Sequence, residues 1–104
     1  MGLERRKAAG WAVHPGEVLE EEFLKPLAIS QYRLAKEIGV PSQAINDIVH
    51  RKRGISADMA LRLGRFFATS AEFWLNLQVA YDVHSVAKEA KRRIEKIRPH
   101  HSAA

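Results

Sequence analysis

The chain has no cysteine among its 104 residues, which excludes disulfide staples and thiolate-held zinc and fits a reducing compartment. It also lacks any apolar run near the roughly 20 residues that a membrane span needs, and its N-terminus lacks the apolar stretch of a signal peptide. A soluble, cytoplasmic protein with no membrane partner is the expectation. No segment alternates apolar and polar residues as a half-buried strand would. The five histidines are scattered: His14, His50 and His84 lie far apart, and His100 and His101 lie in the tail. No His, Asp or Glu set has a ligand-like spacing such as HExxH, so neither a metal site nor a cofactor is expected. The sequence has no nucleophile with a neighbouring base, no phosphate-cradling glycine loop and no carboxylate pair set apart from a helix face. Glu20, Glu21 and Glu22 read as one exposed face, and an enzyme is not expected.

What is present suffices for one core, with 46% hydrophobic residues in a chain of single-domain length. The formal net charge is +5; this permits a polyanionic partner without establishing one. Its distribution says more. In residues 15–29, Glu17, Glu20, Glu21 and Glu22 against Lys25 leave −3. In residues 30–54, Arg33, Lys36, Arg51, Lys52 and Arg53 against Glu37 and Asp47 leave +3, and residues 81–104 also carry +3.

Residues 1–13 show no sustained period and read as a mobile arm, whose Arg5, Arg6 and Lys7 are either solvated or touch phosphate; Trp11 is expected to cover the edge of the core. His14-Pro15-Gly16-Glu17 starts a helix, because proline is pre-set for the first helical position and acids suit the positive end of the dipole. Val18, Leu19, Phe23 and Leu24 make its apolar stripe. Lys25-Pro26 is expected to end it after about ten residues. Ser30 caps a second helix, with Leu34, Ala35 and Ile38 inward and Gly39 as its left-handed stop. Pro41 and Ser42 open a third, which buries Ile45, Ile48 and Val49. Ser56 caps a fourth running to about Ala68, which carries Met59, Leu61, Leu63, Phe66 and Phe67. Ser70 caps a fifth, with Phe73, Trp74, Leu77, Ala80 and Tyr81 at three- and four-residue steps. The period weakens over residues 82–85 and resumes as Val86, Ala90, Ile94 and Ile97 in a charged run. The fold expected is all-α: a compact five-helix bundle containing a helix-turn-helix, over residues 14–83, with a C-terminal helical extension over 84–98 and a disordered tail over 99–104.

The stretch from Ser30 to Arg53 carries the functional signal. Aligned with the general twenty-residue helix-turn-helix pattern from Gln31, it has Ala35 where the helices approach closely, Gly39 at the turn, and Val40, Ile45 and Ile48 at core positions. The face left on the third helix is Ser42, Gln43, Asn46, Asp47 and His50, all hydrogen-bonding groups, which packing alone does not explain. These five are the candidate base readers. Gln43 and Asn46 suit adenine, Ser42 either base type, and Asp47 either accepts from cytosine or orients its neighbours. Gln31, Arg51, Lys52 and Arg53 are the candidates for phosphate, where charge gives affinity without reading sequence. For the basic loop a solvated turn is the competing reading. The aromatic set from Phe66 to Tyr81 is read as core, with a subunit contact as the alternative. One such motif reads few base pairs, so a homodimer joined through the fifth helix and its continuation is expected.

Three segments, HPGEVLEEEFLKPLAIS, RLAKEIGVPSQAINDIVHRKRGISADMALRLGRFF and TSAEFWLNLQVAYD, resemble the HigA/VapI-type antitoxins, a branch of the xenobiotic-response-element (XRE), lambda repressor-like family. The resemblance covers about residues 14–83. It implies a homodimeric antitoxin that binds its own operator DNA, represses its operon and neutralises a cognate toxin protein of the RelE/HigB-like, mRNA-cleaving kind. The acidic first helix is a landing site for such a toxin, or simply a solvated face. Two positions depart from the branch: Arg51 stands where a glycine usually follows the recognition helix, and Ala28 replaces a common glycine before Ser30. Two competing readings are an orphan XRE-family regulator without a toxin, and a protein-interaction module with a vestigial helix-turn-helix.

Overall fold

The computed structural model describes residues 12–100, and the candidate contacts of Arg5, Arg6, Lys7 and Trp11 lie outside them. The described residues form six helices and no strand. Helix α1 spans residues 15–27 in three continuous parts: an α turn at Pro15–Val18, a π-helical stretch at Leu19–Leu24 and a last turn at Lys25–Leu27. It therefore passes through Pro26, where the sequence predicts a stop. In a regular α-helix the proline ring would clash with the carbonyl four residues earlier. The wider π turn ahead of it, in which the Lys25 N–H reaches back to the Glu20 carbonyl, opens the space that the ring needs. The helix ends at Ala28, which takes the left-handed conformation at φ 55°.

Helices α2 (Gln31–Ile38) and α3 (Ser42–Val49) form the helix-turn-helix, joined through Gly39 at φ 73°. Ser30 accepts a hydrogen bond from the Arg33 N–H at 3.0 Å, as a capping serine should. Ser56 and Ser70 do the same for α4 (Ala57–Phe67) and α5 (Ala71–Glu89). A short α6, Lys91–Glu95, follows a break at Ala90.

The core lies where α1, α2, α3, α4 and the first half of α5 meet, with Val18, Leu19, Leu34, Ile45, Ile48, Leu63 and Trp74 fully buried. Trp74 is its largest member. Its indole N–H donates to the Thr69 hydroxyl at 2.8 Å, and Phe23 and Phe73 lie against its ring with centroids 5.0 and 5.1 Å away. Leu61 is not part of this core. It is 65% exposed, because α4 buries Met59, Ala60 and Leu63, and 61 falls on the opposite side of that helical face.

Helix α5 runs through residues 82–85 without a break. Nothing there forbids a helix, and Gln78 donates to Asp82 one turn on, at 2.9 Å. The apolar period weakens because the helix leaves the body. From Asp82 to His100 only Ala90 is buried and Ser85 half-buried. No described helix is long and apolar enough to cross a membrane.

Candidate nucleic-acid interface

Helix α3 is held from behind by α1. Gly16 lies so close to the Ile48 carbonyl that a Cβ there would overlap it, and only glycine permits this approach. His14 sets the start of α1, its Nδ1 accepting from the Gly16 N–H at 2.9 Å while its ring meets Tyr81 edge to face, centroids 4.8 Å apart. Burial lowers the His14 pKa below the usual histidine value, and the positive charge of Arg51 adds to this. Asp82 and Glu17 pull the other way. The imidazole is thereby kept neutral, as an acceptor at Nδ1 must be. The HPGE start thus works as a seat for α3.

The turn between α2 and α3 is clamped from α4. Arg62 Nη1 donates to the Ile38 carbonyl at 2.6 Å, and its Nε bonds Asp58 at 2.8 Å. Gln78 of α5 clamps the loop after α3, its Oε1 accepting from the Ile55 N–H at 2.6 Å beside Gly54. Neither Arg62 nor Gln78 stands out in the sequence as a support of the reader. Their neighbours Gly39 and Gly54 are the only local signal.

On the outer face of α3, Ser42, Gln43 and His50 are exposed, and Asn46 and Asp47 half-exposed. Gln43 Nε2 donates to Asp47 Oδ1 at 2.7 Å, and Asn46 Nδ2 donates to Gln31 Oε1 at 3.2 Å. Each amide spends one N–H on its neighbour and keeps its oxygen and its second N–H. Those two groups are what a bidentate pair with adenine requires. Asp47 also lies 3.7 Å from Arg53, so its carboxylate holds Gln43 and a cation together. His50 Nδ1 donates to the Asn46 carbonyl at 2.9 Å.

The basic loop divides. Lys52 and Arg53 are exposed beyond the end of α3. Arg51 takes the left-handed conformation at φ 63°, and its Nη2 bonds Glu17 Oε1 at 2.9 Å. The structure thus brings eight of the nine candidate residues to one surface around α3 and turns the ninth, Arg51, back toward α1.

The chain matches the helix-turn-helix family over residues 21–74, from α1 into the start of α5. It belongs to the XRE-type helix-turn-helix family. Virulence-associated protein I of Dichelobacter nodosus is 50% identical over 85% of this chain and 81% of its own length. The solved structure of the Pseudomonas aeruginosa antitoxin HigA with the higBA promoter is similar at 48% identity and a TM-score of 0.81, covering 84% of this chain and 96% of that one. A HigA-family addiction module antidote protein from Coxiella burnetii is similar at 42% identity and a TM-score of 0.82, covering 86% and 99%. Within the XRE-type family, the chain is thus HigA-like in sequence and fold.

Proposed function

We propose that the chain is an antitoxin that binds operator DNA in its own promoter as a homodimer and neutralises a cognate RelE/HigB-like toxin that cleaves mRNA. The face of α3 is the observation that carries the DNA half. Gln43 and Asn46 are fixed by Asp47 and Gln31 in a form that leaves an adenine-matching pair of groups on each. Ser42 and His50 flank them toward the bases. Gln31, Lys52 and Arg53 face the phosphates, whereas Arg51 ties α3 to α1. The pairing of a promoter with the similar Pseudomonas aeruginosa antitoxin supports the same kind of target here.

Two copies are needed for two half-sites roughly 34 Å apart along the groove. Val79, Val83 and Val86 recur at four- and three-residue steps on α5, all more than half exposed. Burying this stripe against a second copy is the natural way to pair two readers. The toxin half rests on the likeness to HigA proteins.

The test places the promoter ahead of a reporter and coexpresses the adjacent reading frame. The expected result is a repressed reporter, growth arrest by the neighbouring product alone, and rescue when this chain is present. Repression without any toxic neighbour identifies an orphan regulator, and rescue without repression identifies an interaction module; either contradicts the proposal.

A further inference from the structure

The loop after α3 has little backbone structure of its own. The Lys52 N–H still closes onto the Asp47 carbonyl at 2.7 Å, but Arg53, Gly54 and Ile55 form no backbone-to-backbone hydrogen bond among the described residues. The backbone of this stretch is held instead by a side chain of α5. Half-buried Gln78 accepts from the Ile55 N–H at 2.6 Å through Oε1. Its amide also lies so close to Gly54 that a Cβ there would meet amide atoms at 2.6–2.8 Å. The other end of that amide is engaged as well, Nε2 donating to Asp82 Oδ1 at 2.9 Å. With Nε2 held, the amide has one orientation left, Oε1 toward Ile55.

Gln78 and Asp82 follow each other along one side of α5. At about 100° per residue, Val79, Val83 and Val86 fall on the adjoining side. The loop that carries Lys52 and Arg53 is therefore tied next to the exposed valine stripe, on the helix through which two copies pair. We infer that Gln78 is a positioning residue for DNA binding, which sets the Lys52–Arg53 loop from α5 so that its cations meet the sugar-phosphate backbone already ordered. A loop left loose would lose conformational entropy on binding, and the affinity would fall by that loss. This rests on the proposal that Lys52 and Arg53 face the phosphates.

Titrations of the promoter duplex at physiological salt, run below the melting temperature of every variant, form a double-mutant cycle between Gln78→Ala and Lys52→Ala/Arg53→Ala. Gln78→Ala removes the acceptor for Ile55 and leaves the valine stripe and every cation in place. Alone, it is expected to weaken binding about three- to tenfold. Added to Lys52→Ala/Arg53→Ala it should weaken binding less than about twofold, because no grip is left to position. A role in stability alone would act equally in both backgrounds. Equal losses therefore overturn the inference, as does a Gln78→Ala chain that binds as tightly as the wild type. The swap Gln78→Glu/Asp82→Asn returns an acceptor to Ile55, reverses the bond along α5 and keeps the net charge. It should recover wild-type affinity to within about twofold; a swap as weak as Gln78→Ala overturns the inference too. Failure of the underlying reading shows separately, as a Lys52→Ala/Arg53→Ala chain with undiminished affinity, which removes the phosphate grip and the role of Gln78 with it.

Discussion

Arg51 Nη2 lies 2.9 Å from Glu17 Oε1, and this bond joins the first turn of α1 to the residue that closes α3. Arg51 holds a left-handed conformation, φ 63°, that costs a side chain about 1 kcal/mol relative to glycine. Arg51 is exposed and Glu17 only partly so, and the ion pair, partly screened by solvent, offsets about that amount. Arg51→Gly is therefore expected to be as stable as the wild type, whereas Arg51→Ala keeps the strain, loses the bond and falls below both. Denaturant midpoints order the three. In DNA titrations Arg51→Gly should leave the salt slope unchanged; a slope lower by about one would return Arg51 to the phosphates.

Gly16 makes a sharper prediction. Gly16→Ala drives a Cβ into the Ile48 carbonyl, and backbone on both sides cannot yield as a flexible side chain would. A destabilisation of about 1–3 kcal/mol is expected, with operator affinity reduced in step as α3 shifts outward. Thermal unfolding measures the first effect. A midpoint equal to the wild type's would mean that α1 does not press on α3 as described.

His14 gives the fold a pH dependence whose sign is set by its environment. Its pKa is lowered in the folded chain by burial, with Arg51 adding to the effect, so folding favours the neutral ring. The stability this contributes is complete above the unfolded value of about 6.5 and is lost as pH falls through the lower folded value. His14→Asn keeps a capping acceptor without the titration. Between pH 7 and pH 5 the wild-type melting temperature should fall more than that of the variant. Parallel curves would remove His14 from the account.

Much of this was legible beforehand, for reasons that particular residues make plain. Ser30, Ser56 and Ser70 announce three helix starts because a hydroxyl at that position satisfies a free N–H, and each does so here. Gly39 announces a left-handed turn. Ala28, Arg51 and Ala68 adopt the same conformation without glycine; the sequence signal for it is absent, and each closes a helix whose next N–H bonds back five residues, Ile29 to Leu24, Lys52 to Asp47 and Thr69 to Gly64. Pro26 misleads because the sequence does not reveal the π turn that accommodates it. Leu61 misleads because hydrophobicity alone does not say which side of α4 faces inward. The Gln43–Asp47 pair was legible because residues four apart on one helix face each other. The Glu17–Arg51 bond, thirty-four residues apart, was not.

The central claim is that α3 reads bases through Gln43 and Asn46, and one titration tests it most directly. Fluorescence anisotropy at physiological salt compares the promoter duplex with a scrambled one, for the wild type and for the Gln43→Ala/Asn46→Ala double variant. The wild type is predicted to prefer the promoter by about a thousandfold or more. The double variant should lose at least tenfold of that preference, at about 1–3 kcal/mol per bidentate contact, while its affinity for scrambled DNA stays the same. A wild type that binds both duplexes equally, or a double variant that keeps the full preference, would contradict the account.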